Sequence, residues 1–486
     1  MSDNASARSR RIADRNSDER HRAPHVDADV AGAAGSESSA ETAAMHEAHT
    51  ARGGPKRVLI LVENLPSPFD RRVWQEAGAL RDAGYDVSII CPTGRGYGRK
   101  FEVIDGIHIY RYNLPIEASG AVGYALEYGC ALASTFVLSW RVLLTRGFDV
   151  IHACNPPDLF FLIGGFFKLF GKKFVFDHHD LNPELYEAKF GRRDFFYRLM
   201  LALEYWTFRT ADVSIATNES YRRIAIDRCG MPAERVFVVR SGPSLERLQI
   251  LPAEERLKCG RRYLVGYVGV MGQQEGIDLL LRAVFHIVHE LGRRDIQFGL
   301  VGGGTSLEQM KAYAVKLGVA DFVTFAGRLP DRDLLAMLNT ADVCVNSDIA
   351  NGMNDKSTMN KIMEYMALGK PIVQFDLAEG RISAQQASLY ARKNDAVDFA
   401  VKIVELLDDP VRRVQMGNFG RRRVTEELEW RYEVPKLLAA YDALSRSPAH
   451  PIAADDAVHG GARPAVTGSH HLSATGPRTT GGDTPI

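Results

Sequence analysis

Short apolar, β-branched runs alternate with helix-spaced apolar stripes along most of this chain. RVLILVE, YDVSIICP, FDVIHA, KKFVFDHH, DVSIATN and RVFVVRS occupy its first half, and YLVGYVG, QFGLVGGG, FVTFAG, DVCVN and PIVQFD its second. Strands that are apolar almost throughout are buried on both faces, which predicts parallel sheets covered by helices, an α/β fold. Each half reads as a Rossmann-like, doubly wound domain. Residues 241–261 hold no comparable strand and mark the linker. The predicted organisation is a disordered tail over 1–54, one domain over 55–245, a second over 246–428, a helix over 429–446 and a disordered tail over 447–486. Both tails are too poor in apolar residues to bury a core.

The stretch NDKSTMNKIMEYMALGKPIVQFD, residues 354–376, reads as loop, helix and buried strand. Met359, Ile362, Met363 and Met366 fall on one helical stripe able to face a core, leaving Asn360 and Glu364 on another face. Asp355 or Ser357 can cap the start, and Gly369-Lys370-Pro371 ends the helix. Glu364 is either a solvated charge paired with Lys361 or a carboxylate turned toward a ligand.

Composition changes the picture little. Lys plus Arg and Asp plus Glu both number 60, so no global field recruits nucleic acid. The six cysteines include no C-x-x-C pair, which excludes a zinc knuckle or redox motif of that kind and fits a reducing cytoplasm. The first twenty residues lack the apolar centre of a signal peptide. Residues 121–144 are long enough to span a bilayer, with only Glu127 and Arg141 as charges, but Glu127, the two interior glycines and the strand that follows favour a helix packed on a sheet or lying at a membrane surface.

Ligands of doubly wound sheets bind beyond the carboxyl ends of the strands, so the loops there hold the candidate chemistry. After the first strand, Ser67-Pro68-Phe69-Asp70 can form a capping box. Arg71 and Arg72 then fall in the first helical turn, where the helix dipole disfavours cations, so either both are solvated or an anion faces them. After the fourth strand, His178-His179-Asp180 can place an imidazole at a substrate hydroxyl; nothing nearby completes a zinc set. Gly302-Gly303-Gly304 and the turn from Gly269 to Gly276 permit close backbone approach to a ligand, although neither half carries the dinucleotide fingerprint, which disfavours a nicotinamide dehydrogenase. Asp331-Arg332-Asp333 resembles a D-x-D metal motif but opens a helix, so capping is the simpler role.

The ordered series VGYVGVMGQQEGIDLLL, LVGGG, FVTFAGRLPDRDLLAMLNTADVCVNS and NKIMEYMALGKPIV resembles the C-terminal half of retaining family 4 glycosyltransferases of GT-B architecture, two Rossmann-like domains facing a cleft. RRVWQEAGALRDAGYDVSIICP and HHDLNPEL are similar to members that build bacterial surface polysaccharides. The resemblance covers about residues 56–446 and implies that the terminal helix crosses back to the first domain. It assigns Glu364 to the ribose of a nucleotide and His179 to the transferred sugar. The family's other glutamate falls on Lys356, with Asp355 as a substitute for binding the sugar. Its diphosphate-binding Arg and Lys fall on Val270 and Glu275, so other cations must replace them: Lys361, Lys356, Arg240 or Arg72, aided by Ser357 and Thr358. Gly272 and Gln273 join the expected donor site, and Asp70 with Arg72 the acceptor or phosphate loop.

The resemblance thus implies transfer of a sugar from a nucleotide diphosphate sugar to a glycan or lipid-linked acceptor, with retention, in exopolysaccharide or other cell-surface polysaccharide biosynthesis. No metal and no cofactor are expected. The expected location is the cytoplasm, peripheral on the inner face of the plasma membrane. The alternatives are an inactive nucleotide-sugar-binding protein of the same fold and a nucleotide-sugar epimerase.

Overall fold

The computed structural model describes residues 56–114 and 120–445, so both predicted tails lie outside the described residues. The first half contributes β1 (Arg57–Leu61), β2 (Asp86–Pro92), β3 (Phe101–Ile104), β4 (Ile107–Tyr112), β5 (Val150–Cys154), β6 (Lys173–His178), β7 (Val213–Ala216) and β8 (Val236–Val238). They form one sheet in the order β3-β4-β2-β1-β5-β6-β7-β8, parallel except for the hairpin β3-β4 at its edge. The second half contributes β9 (Tyr263–Val268), β10 (Ile296–Val301), β11 (Val323–Gly327), β12 (Val343–Asn346), β13 (Ile372–Phe375) and β14 (Ser388–Ala391). Their order, β11-β10-β9-β12-β13-β14, is the doubly wound 3-2-1-4-5-6 arrangement. Strand order reverses beside β1 in the first sheet and beside β9 in the second, so the loops after these strands and their neighbours border the crevices where such sheets bind ligands.

Why these segments become strands is visible in their burial. Val58 through Leu61 and the whole of Ile296–Val301 are buried, as expected of strands covered by helices on both faces. The helix Val434–Leu444 packs on the first sheet, where Leu437, Ala440 and Tyr441 are fully buried beside Val213, Ile215 and Val239. The chain leaves the first half and returns to it along adjacent paths, because Trp430 N donates to Pro243 O at 3.1 Å. Gly242 is needed there: a Cβ on it would sit 2.7 Å from Leu428 O.

Three local expectations are corrected. Helix Arg71–Asp82 is capped by Asp70, which accepts from Val73 N, and not by Ser67. Helix Asn360–Ala367 starts after Met359 without a side-chain cap, so neither Asp355 nor Ser357 has that role. Asp331 does not cap helix Asp331–Thr340 either; it pairs with arginines from outside that helix. Asp331, Asp355 and Ser357 each found a charged or tertiary partner instead, whereas the buried Ser67 hydroxyl bonds to nothing among the described residues.

The apolar stretch over 121–144 belongs to helix Gly120–Thr145, which is long and apolar enough to cross a membrane. Here it packs on the first sheet, with Phe136 and Trp140 set against Phe166 and Phe167. Much of its outer face remains exposed, including Val137 and Leu144.

Candidate functional site

A cavity of about 440 Å³ lies between the carboxyl ends of the two sheets. Asp70, Arg72, His179 and Asp180 line it from the first half, and Glu275, Asp348, Ser357, Thr358 and Lys361 from the second.

Val270, Gln274 and Glu275 of the turn after β9 line it from the second half, and that turn is docked on a second glycine turn behind it. Gly269 N donates to Val301 O, Met271 N to Gly303 O, and Ser306 N to Met271 O. A Cβ on Gly302 would lie 1.7 Å from Gly269 O, and one on Gly304 2.5 Å from Met271 O. The glycine run expected to approach a ligand therefore approaches the neighbouring turn. Glu275, at the position where the family carries a lysine, accepts from Gly272 N at 3.0 Å and so closes its own turn. Burial, reinforced by Asp348, raises the Glu275 carboxyl above its ordinary value.

On the opposite wall, His179 projects from the end of β6 with its Nε2 in a short contact to Asp177 and 3.0 Å from Arg72 Nε. Arg72 also reaches Asp177 Oδ1 and Glu76 Oε1, each at 2.9 Å. Burial pushes the Glu76 carboxyl well up. Asp177 is just as buried, but Arg72 and His179 outweigh that and hold its carboxyl well below the usual range. Glu76, Asp177 and His179 bring ligand atoms within 4.8 Å of one another, and Arg72 already supplies positive charge among them. Beneath them His152 Nδ1 meets Tyr441 of the returning helix at 2.8 Å. His178 turns into the core among Phe176, Phe208 and Tyr221, where burial lowers its pKa to about 3. His179 therefore faces the cavity, and His178 does not.

The other expected residues divide into those at the cavity and those held elsewhere. Lys361 lines the cavity, with Nζ 2.9 and 3.1 Å from the buried Asp348 carboxylate and 4.9 Å from the Tyr267 ring. Ser357 and Thr358 also line it, but their hydroxyls already meet Tyr221 OH at 3.1 Å and Asn218 Nδ2 at 3.0 Å. Lys356 is drawn across to Glu184 of the first half, 3.1 Å away. Arg240 lies against the buried Glu379, with 3.8 Å between Nη1 and Oε2. Asp355, expected to be catalytic, accepts from Ala378 N and pairs with Lys393, and it is not among the residues that line the cavity. Gly272 and Gln273 border a separate cavity of about 530 Å³ beside helices Ile277–Phe285 and Leu307–Lys316. Glu364 pairs not with Lys361 but with Arg71 and Arg247.

Residue patterns left several participants unnoticed. Asp177 stands two positions before His179, but only the pleat of β6 and the arrival of Arg72 make it a partner. Arg247 lies in a linker without periodicity and offered no signal. Arg71 and Arg72 were visible as a pair strained by the helix dipole. The anion facing Arg72 turns out to be the protein's own Asp177.

Two doubly wound halves with their binding crevices turned to one polar cleft define the GT-B class of glycosyltransferase. The chain belongs to glycosyltransferase family 4: the family model described as Glycosyltransferase Family 4 matches residues 70–247, and that described as Glycosyl transferases group 1 matches residues 262–409. Among curated relatives, a 2-deoxystreptamine glucosyltransferase of Streptomyces kanamyceticus is 24% identical over 50% of this chain and 64% of its own length. A GDP-mannose-dependent alpha-(1-6)-phosphatidylinositol monomannoside mannosyltransferase of Mycolicibacterium smegmatis is 31% identical over 38% of this chain and 48% of its own. The match thus spans less than two thirds of either relative. Among solved structures, sucrose-phosphate synthase from Thermosynechococcus elongatus shares the fold with TM-score 0.65 at 18% identity, over 80% of this chain and 99% of that one. An Anabaena protein in complex with UDP and glucose does so with TM-score 0.62 at 14% identity, over 79% and 99%.

Proposed function

We propose that this chain transfers a sugar from a nucleotide diphosphate donor to a glycan or lipid-linked acceptor, with retention of anomeric configuration, in cell-surface polysaccharide biosynthesis. The observation that carries this reading is Lys361. Its ammonium is fixed by Asp348 and Tyr267 beside Gly269, where a Cβ would lie only 3.3 Å from Nζ. That is the turn in which the family places its diphosphate-binding arginine, and His179 faces the same cavity from the other half. A cation there stabilises negative charge as the diphosphate departs, and His179 orients the sugar. This assignment gives a metal no necessary part, because Lys361 supplies the positive charge at the leaving group. The two curated relatives, both named as transferases of hexoses, support the reaction class.

The test uses the purified full-length protein in a thermal-shift screen across UDP, GDP and ADP sugars, followed by assay of nucleotide release with and without EDTA. A donor that raises the melting temperature and is then turned over to an acceptor supports the reading. Stabilisation without release points to a binding protein, and a changed sugar without acceptor to an epimerase. Loss of turnover in EDTA would overturn the metal-free assignment.

The same reading places the chain at the inner face of the plasma membrane. Leu169 and Phe170 at the end of helix Phe161–Lys168, and Phe195 and Trp206 on helix Phe195–Thr210, are exposed, and exposed Lys173, Arg192 and Arg193 lie near them in the chain. Apolar and cationic side chains in such a mixture suit an anionic lipid surface. The protein is expected to sediment with phosphatidylglycerol vesicles and to lose most of that binding in the Leu169→Asp/Phe195→Asp variant. Equal sedimentation of the variant would contradict the assigned surface.

A further inference from the structure

The cavity is poorly supplied with free positive charge for a ligand that brings a diphosphate. Asp70, Asp180, Glu275 and Asp348 line it against Arg72 and Lys361, and both of those cations already face buried carboxylates. Just beyond it stands a balanced cluster. Arg71 reaches Asp331 at 2.7 Å and Glu364 at 3.4 Å; Arg247 contacts Glu364 closely and Asp331 at 3.7 Å. Arg247 Nη1 is buried without a hydrogen-bond acceptor, so it holds a donor in reserve. The carboxylate that both guanidinia occupy is the one whose family counterpart holds the ribose.

We infer that Arg71 and Arg247 are donor-binding residues parked on Glu364 and Asp331, which exchange these carboxylates for the donor's phosphates when the nucleotide enters. This rests on the reading of the cleft as a nucleotide-sugar site. Ribose hydroxyls donate to Glu364 in place of the guanidinia, and the phosphates, next to the ribose along the donor, accept from the guanidinia released. The released guanidinia pair with phosphate, and the ribose hydroxyls keep the partly buried Glu364 carboxylate hydrogen-bonded, so each half of the exchange offsets part of the other's cost. Arg and phosphate also match as planar fork and paired oxygens, a geometry Lys cannot reproduce. Arg71 comes from the first half and Glu364 from the second, so this cluster already bridges the two halves before a ligand enters.

Isothermal titration of the full-length protein with UDP, GDP and ADP, and with the corresponding monophosphates, tests this. For whichever diphosphate the wild type binds, Arg247→Gln and Arg71→Gln are each expected to weaken affinity about tenfold or more, with a smaller loss for the monophosphate. Asp331→Asn removes a competing carboxylate from an exposed position and is expected to tighten binding several-fold. Circular dichroism confirms that each variant folds. If the cluster were only a latch between the halves, both arginine variants would bind as well as the wild type or better, and the inference would fall while the donor-site reading stood. If the wild type bound none of the three diphosphates, the donor-site reading itself would fail.

Discussion

Lys361→Ala is expected to slow sugar transfer by about a hundredfold or more while leaving the protein folded. The ammonium can give charge-assisted hydrogen bonds to a departing diphosphate, each worth about 1.5–3 kcal/mol, or roughly one to two powers of ten in rate. The substitution also strips Asp348 of its ion-pair partner and turns that buried carboxylate on the phosphates. Both changes act in the same direction. Lys361→Arg keeps the charge over the Tyr267 ring and should recover part of the rate. Steady-state kcat/KM for the donor found by screening, together with nucleotide Kd, separates binding from turnover. An alanine variant with wild-type kcat/KM would remove Lys361 from the mechanism.

Gly302→Ala is expected to cost about 3 kcal/mol or more of stability, or to prevent soluble expression. Its φ of +142° is disfavoured for residues with a side chain, and its added methyl would lie 1.7 Å from Gly269 O. The obstacle is backbone, held by Gly269 N to Val301 O and Met271 N to Gly303 O, so it cannot swing aside as a side chain would. Gly303→Ala is the informative partner. Its nearest new contact is the flexible Arg328 side chain at 3.5 Å, and its cost should stay within about 1 kcal/mol. Urea denaturation of the two variants measures the difference. Equal losses would show that the two glycine turns are not docked as described.

Glu364 shows how far pattern alone reaches. Its helix, its separation from the apolar stripe and its place before Gly369 and Pro371 follow from residues within about two turns of it. The nearest lysine in sequence, Lys361, seemed its natural partner, yet Lys361 turns to Asp348, and Arg247 and Arg71 arrive from 117 and 293 residues away. Lys356 likewise leaves its own loop for Glu184. A charged side chain on a loop or helix start pairs with whatever opposite charge the other half presents, and short-range spacing carries no record of that.

The chain's alternation of buried strands with helices, its glycine turns and its linker determined by themselves that two doubly wound sheets would form, because backbone hydrogen bonding and apolar burial are local in period. Which histidine faces the cleft and which carboxylate Arg72 meets were decided by packing within the first half, and which cations sit on Glu364 only where the two halves and the linker meet. Charges find partners by distance in space, and that distance is a property of the folded chain.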